Sequence, residues 1–287
     1  MELSGKTKVC GIIGDPVDHT LSPPMHNAAF RELDLDFVYV PFPVKKDALK
    51  EAVAGLRALG VRGFNVTMPH KVTIIPMLDG LDPLARSIGA VNTVVNENGK
   101  LTGFNTDGPG ALQALLAGGA DPKTKNVVVI GAGGASRAIS FLLALHGARL
   151  TIFNRKQELD WAHDIARSIK DSLKAEVKVA ELTGAQLKTS LTEASILINA
   201  TSVGMNPDAG KSLVPAELIN SRLSVFDVIY SPMKTKLLRD AEKAGCRTIG
   251  GVELLVWQGV LCFEKWTGQK APVDIMRRAA VARLEQE

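Results

Sequence analysis

The chain has 287 residues, 46% of them hydrophobic, and 34 lysines and arginines stand against 30 aspartates and glutamates. That length suits two domains with sizeable cores. A net charge of +4, with no basic block or interleaved aromatic stripe, argues against a nucleic-acid binder and suits an anionic metabolite and a phosphorylated cofactor.

No apolar run approaches the roughly 20 residues that cross a bilayer, and residues 1–8 are polar without the apolar core of a signal peptide. Cys10, Cys246 and Cys262 each sit in an apolar run, as buried thiols do rather than disulfide partners, and the five histidines have no metal-ligand spacing. A cytoplasmic protein with no metal and no membrane contact is expected.

In chain order, Val9–Gly14 reads as a strand, Met25–Leu33 as a helix and Phe37–Phe42 as a strand. Leu49, Val53, Leu56 and Leu59 then recur at helical spacing until Gly60 ends the helix. Strands separated by helices predict a mainly parallel sheet. Val61–Phe64 reads as a strand end, followed by Asn65-Val66-Thr67-Met68-Pro69-His70-Lys71. That segment supplies an amide, a hydroxyl and an ammonium, and Pro69 stiffens the turn that presents Lys71.

Asn92–Val95 and Lys100–Phe104 flank Asn98-Gly99, a two-residue turn signal, and so predict a hairpin. Asp107 then opens a helical pattern through Leu112, Leu115 and Leu116. It is either the N-cap of that helix or, if Thr106 caps, a carboxylate left for chemistry.

Residues 118–125 form a polar, Gly/Pro-bearing break, after which a second α/β unit begins. Asn126–Ile130 reads as a buried strand and Ala135–His146 as a helix. Between them lies Gly131-Ala132-Gly133-Gly134-Ala135-Ser136, a loop that permits close approach of a pyrophosphate to a helix N-terminus. Ser136 stands where the third glycine of the dinucleotide fingerprint would be.

The next strand, Leu150–Phe153, leads into Asn154-Arg155-Lys156-Gln157, with Asn154 21 positions beyond Gly133. An acidic residue there would favour the free ribose hydroxyl of NAD. Arg155 and Lys156 favour a 2′-phosphate, so NADP is expected, with NAD still possible. Further strands are predicted at Val177–Ala180, Ile196–Ile198 and Val225–Val228, a helix at Leu237–Ala244, and a helical tail from Gly251 with Leu254, Leu255, Leu261 and Phe263 as core candidates.

His19-Thr20-Leu21-Ser22-Pro23-Pro24-Met25-His26-Asn27, residues 65–71, Gly89–Thr93, Asn105-Thr106-Asp107, Gly131–Arg137 and Gln258-Gly259 occur in that order. Together they resemble the shikimate dehydrogenases, including the quinate/shikimate branch, over nearly the whole chain. The resemblance implies a substrate domain of residues 1–107 with 250–287, a Rossmann-like NADP-binding domain of residues 108–249, and a cleft between them. It implies reduction of 3-dehydroshikimate to shikimate, by a monomer or a homodimer.

Carbonyl reduction needs a hydride donor, a proton donor and groups that fix the substrate face. Lys71 and Asp107 are the candidate catalytic pair. Thr20 and Ser22 offer hydroxyls at a helix start where Pro23 fits an early position, a place to bind a carboxylate. Ser22 alone would also serve as an N-cap. Asn65, Thr67, Asn92 and Gln258 would complete a polar ring, and Tyr230 would lie near both ligands. The resemblance assigns Gly131–Ala135, Asn154, Arg155, Lys156, Thr201, Met205, Val228 and Gly251 to the cofactor, with the Met205 loop beside the nicotinamide.

Related enzymes usually carry serine where this chain has Thr20, and its extra methyl narrows that corner. The 45 positions from Asn154 to Asn199 make a longer segment than the biosynthetic branch usually has, a feature of enzymes that also take quinate and NAD. A dinucleotide-sensing regulator on the same fold is a third reading, which Lys71 and Asp107 argue against, since a sensor needs neither.

Overall fold

The apolar run from Val9 forms β1 (Lys8–Gly14), buried along most of its length in the computed structural model, which describes residues 3–286. The chain continues through α1 (Ser22–Glu32), β2 (Phe37–Pro43), α2 (Leu49–Ala58), β3 (Gly63–Val66), β4 (Gly80–Leu81), α3 (Pro83–Ile88), β5 (Thr93–Glu97) and β6 (Lys100–Phe104). These strands make a six-stranded sheet in the order β2-β1-β3-β5-β6-β4. The pairs β1·β2, β1·β3 and β4·β6 are parallel, and the β5–β6 hairpin inserts antiparallel. Its turn residues Asn98 and Gly99 both take positive φ (53° and 86°), as an Asn-Gly hairpin turn requires.

The second part opens with α4 (Asp107–Ala117) and alternates strand and helix except between β10 and β11: β7 (Asn126–Ile130), α5 (Gly134–Leu145), β8 (Arg149–Asn154), α6 (Leu159–Leu173), β9 (Lys178–Glu181), α7 (Gly184–Glu193), β10 (Ile196–Asn199), β11 (Ser224–Asp227), α8 (Lys236–Lys243) and β12 (Arg247–Ile249). Its sheet runs β12-β11-β10-β7-β8-β9 with every pair parallel. Two long helices follow, α9 (Gly251–Thr267) and α10 (Val273–Leu284). The chain divides into two compact units. One runs to Thr106 and resumes at Val256, and the other is Asp107–Leu255, so the boundary falls inside α9.

In the first unit α1 packs on α10. The edge strand β2 is closed by a side chain. The Asn27 amide donates to the Tyr39 carbonyl (2.9 Å) and accepts from its N–H (2.8 Å), which replaces a neighbouring strand. In the interior of the sheet Trp266 is buried, its ring beside those of His26 and Tyr39, and its Nε1 donates to the Val94 carbonyl at 3.0 Å. Gly63 lies beneath that contact, where no side chain fits.

Three readings of the sequence change. Asn65 and Val66 belong to β3 rather than to the loop after it. Leu59, placed on the apolar face of α2, is 81% exposed and lies just past the helix. Leu21, not Ser22, is the N-cap residue of α1, and Ser22 is the first residue inside the helix. The elements β4, α3, α6, α7 and β12 are not anticipated from the sequence.

A Cβ at Gly63 would lie 2.2 Å from Trp266 Nε1 and 2.7 Å from the Val94 carbonyl. Gly63→Ala is therefore expected to destabilise the fold by roughly 3 kcal/mol through overpacking. The urea midpoint, followed by tryptophan fluorescence, checks it, and an unchanged midpoint would contradict this packing.

Candidate active site

Both sheets have a point where successive crossovers leave in opposite directions, which is where open α/β sheets bind ligands. In the second unit it lies between β7 and β10. In the first it lies between β1 and β3. Parallel pairing puts the carboxyl ends of each strand pair on one edge, so the loops that follow them carry the site.

After β7, Gly131 takes φ +102°, and a Cβ there would meet Thr201 Cγ2 at 2.7 Å and the Ala200 carbonyl at 3.0 Å. Gly133 caps α5 without a side-chain acceptor, and Gly133 and Gly134 are exposed, so the first N–H groups of a 12-residue helix face outward. That arrangement suits a pyrophosphate. Ser136 is fully buried and donates to the Gly131 carbonyl at 2.6 Å. At the position of the third glycine a small residue thus both allows α5 to pack on β7 and fastens the loop.

At the end of β8 the buried Asn154 donates to the Glu158 carbonyl at 2.7 Å and shapes the following turn. Lys156 is exposed. The side chain of Arg155 is 69% exposed and is held in a two-point fork by Glu158, 25% exposed: Nε to Oε2 at 3.1 Å and Nη2 to Oε1 at 2.5 Å. Glu158 had not been read as its partner. Two cations beside the ribose position fit a 2′-phosphate.

After β10, Asn199 Oδ1 accepts from Thr201 Oγ1 (2.7 Å), while Thr201 Oγ1 accepts from the Val203 N–H (3.1 Å). Asn199 Nδ2 donates to Asp227 Oδ1 at 3.0 Å. Asp227, at the end of β11, also accepts from Thr235 Oγ1 (2.6 Å) and the Ile229 N–H (3.2 Å). This network fixes the turns that carry Met205, Val228 and the half-buried Tyr230. Gly251 completes it, since a Cβ there would lie 2.3 Å from the Val228 carbonyl. Asp227 is fully buried, and burial pushes its carboxyl up to about 6 against the pull of those hydrogen bonds. It was not among the sequence candidates; a lone acid closing an apolar β run is the signal that marks it.

In the first unit the loop after β3 is pinned at several points. The Thr67 N–H donates to the Ile13 carbonyl (3.0 Å), the Asp15 N–H to Met68 (3.0 Å) and the Val91 N–H to Lys71 (2.8 Å). The His70 ring, protonated at Nε2 to face a carbonyl, bonds Val44 at 2.7 Å. Lys71 thus stands half-buried on a backbone held on both sides. After β1, Thr20 Oγ1 accepts the Ser22 N–H at 3.3 Å, and Ser22 is buried against the Tyr39 hydroxyl, to which its own hydroxyl bonds.

Asn65, Asn92 and Gln258 meet in one buried polar cluster that includes residues the sequence had not singled out: Tyr39, Thr93, Thr106 and Cys262. Tyr39 donates to Asn65 Oδ1 at 2.7 Å. Asn65 Nδ2 faces the Asn92 carbonyl (3.1 Å), Thr93 Oγ1 (3.3 Å) and Cys262 Sγ (3.0 Å). Asn92 Oδ1 accepts the Thr106 N–H at 2.8 Å, and its Nδ2 donates to Thr106 Oγ1 at 2.9 Å. Cys262 donates to the Gln258 carbonyl one turn back along α9 at 3.0 Å. The Asn65 amide hydrogens therefore point into the protein. Asp107, the first residue of α4, is buried and falls in the second unit with Tyr230. Among the described residues no group of His, Cys, Asp and Glu is arranged to hold a metal ion, and no helix is long and apolar enough to cross a membrane.

A fully parallel six-stranded sheet in this order, with a glycine loop at its switch point, defines a dinucleotide-binding α/β protein of the Rossmann type joined to a second α/β domain. Residues 12–94 match the family model described as the shikimate dehydrogenase substrate binding domain. Residues 115–232 match shikimate/quinate 5-dehydrogenase, and residues 251–281 the shikimate 5′-dehydrogenase C-terminal domain.

A shikimate dehydrogenase (NADP(+)) of Desulforamulus reducens is 46% identical over 278 residues, 96% of this chain and 95% of its own. A solved shikimate dehydrogenase in complex with NADP+ is 41% identical with a TM-score of 0.93, over 99% of this chain and 98% of its own. Shikimate 5-dehydrogenase of Listeria monocytogenes, in complex with shikimate and NAD, is 42% identical with a TM-score of 0.92, over 97% and 98%. The chain belongs to the shikimate dehydrogenase family.

The raised folded-state pKa of Asp227 means that its neutral form is favoured by folding, so its contribution is present below the ordinary carboxylate value of 3.8 and is lost as pH rises through about 6. The stability of the unaltered chain relative to Asp227→Asn is expected to fall by about 2–3 kcal/mol across that window and then level off. Urea melts at a series of pH values measure it. A pH-independent difference would show that burial does not dominate at this carboxyl.

Proposed function

We propose that this chain reversibly reduces 3-dehydroshikimate to shikimate with NADPH, in the cytoplasm, as the biosynthetic members of its family do. The single observation that carries this reading is Lys71, a cation on a backbone pinned from both sides at the switch point of the first sheet. NADPH, when bound, supplies the hydride.

Lys71 stabilises the alkoxide that develops at the reduced carbonyl and gives it a proton. Asp107 accepts a hydrogen bond from a substrate hydroxyl. The Thr20 and Ser22 hydroxyls take the substrate carboxylate; the first turn of α1 offers no open N–H, since Pro23 and Pro24 have none and Met25 donates to the Leu21 carbonyl. Thr67, Asn92, Tyr230 and Gln258 orient the ring hydroxyls, and Asn65 holds the cluster beneath them. On the cofactor side, the open N–H groups of Gly133 and Gly134 take the pyrophosphate, Arg155 and Lys156 the 2′-phosphate, and the turns bearing Thr201, Met205, Val228 and Gly251 shape the nicotinamide end.

A four-way steady-state assay tests the assignment, with shikimate or quinate and NADP+ or NAD+. Turnover concentrated on shikimate with NADP+ supports it. Comparable quinate turnover with NAD+ places the chain in the broader branch, and binding of NADP+ without any turnover supports a sensor. Lys71→Ala is expected to lower kcat by about 10²–10⁴-fold, the usual range for a lost general acid, with the Kd for NADP+ unchanged. Turnover within twofold of the unaltered chain would remove Lys71 from the mechanism.

A further inference from the structure

The corner that would read the adenosine ribose holds two opposite readers joined to each other. A cation such as Arg155 selects a 2′-phosphate, and an acid in this region selects a free 2′-hydroxyl. Here Glu158 follows three residues after Arg155 and grips its guanidinium by Nε and Nη2. We propose that Glu158 is a specificity-determining residue of the cofactor site, a latch on Arg155 that weakens the preference for NADP and keeps NAD in use. The proposal rests on the second unit's being the dinucleotide site.

The two partners are not equally mobile. Glu158 closes a short 3₁₀ turn (Lys156–Glu158) whose backbone is fixed: its N–H donates to the Arg155 carbonyl at 2.9 Å, and its own carbonyl accepts from Asn154 Nδ2 at 2.7 Å. The backbone from which the carboxylate starts is thus tied to the end of β8. That strand pairs with β7, and the Gly131 N–H donates to the Phe153 carbonyl at 2.8 Å, so the turn borders the glycine loop directly. Arg155 is the exposed and movable member.

A 2′-phosphate arriving here meets a guanidinium whose Nε–Nη2 edge already faces a carboxylate. It must take the Nη1 side with that negative charge close by, or displace Glu158. Either course reduces the gain from the phosphate. A ribose with a free 2′-hydroxyl brings no charge to compete for the guanidinium and meets no such conflict. Lys156, exposed on the same turn, supplies the second positive charge that keeps phosphate binding favourable. An exposed ion pair of this kind is weak, which is what a latch needs if both cofactors are to open it.

The test measures binding of 2′,5′-ADP and 5′-AMP, the halves that differ by the phosphate, to the full chain by calorimetry. In Glu158→Gln the ratio of the 5′-AMP to the 2′,5′-ADP dissociation constant is expected to rise by about two- to fivefold, the scale of an exposed ion pair. In Arg155→Ala it should fall, and adding Glu158→Gln to Arg155→Ala should change it little, because the latch acts through Arg155. Retained 5′-AMP binding in each variant reports an intact fold.

A ratio unmoved in Glu158→Gln overturns the latch. So does an effect of equal size with and without Arg155, which would make Glu158 a direct repellent of phosphate. Failure of the unaltered chain to bind either nucleotide overturns the dinucleotide site itself, and the latch with it.

Discussion

Parallel strands end with carbonyl and N–H groups that no hairpin partner takes up, and in this chain buried asparagine amides hold the loops that leave those ends. Asn199 ties the turn after β10 to Asp227 at the end of β11. Asn154 ties the turn after β8 to Glu158. Asn65, in β3, reaches the Asn92 carbonyl, and Asn92 in turn accepts the N–H of Thr106. An amide suits this work because it donates and accepts at once and carries no charge, so it satisfies two backbone or hydroxyl groups without the desolvation cost of an ion. Removing such a side chain would leave buried polar groups unpaired, which costs more than the bond itself contributes.

The glycine loop depends on the same logic at shorter range. Position 131 needs glycine because its φ is +102° and because Thr201 and the Ala200 carbonyl leave no room for a Cβ. The Ser136 hydroxyl fastens the carbonyl of that residue from the first turn of α5. The departure from three glycines is therefore a local exchange. The chain loses one glycine, gains a hydrogen bond, and keeps the small volume that helix-on-strand packing requires.

How far the sequence reveals all this depends on the distance over which each feature is specified. The Asn98-Gly99 hairpin and the β7–loop–α5 unit are written in neighbouring residues and read correctly, whereas the segment ending at Lys71 gives Asn65 and Val66 to β3 and is pinned by residues as distant as Ile13 and Val91. Helix α6 is not among the expected elements, although Leu159, Ala162, Ile165, Ile169 and Leu173 recur at helical spacing among its charges. The anchoring cluster does not read either. Tyr39 meets Asn65 from 26 positions away and Cys262 meets it from 197, so each looks like an ordinary core residue until the chain is folded. Asn65, Asn92 and Asn154 stood out in the sequence as polar residues at strand ends. What the sequence could not state is the direction in which their amides point.

That direction separates two kinds of residue that sit side by side. Asn154 is buried and committed to the turn, while the next residue, Arg155, is exposed and held only by an ion pair. In the loop after β3 the backbone around Lys71 is committed in the same way. A site that binds and releases ligands needs both: fixed groups to define where a side chain starts, and weakly held groups that can exchange one partner for another. Placing the fixed groups on the strand ends and the exchangeable ones a single residue further on keeps the sheet's rigidity available to the chemistry without freezing it. A substitution at an anchor should therefore disturb stability together with function, and one at its exposed neighbour should change ligand choice alone.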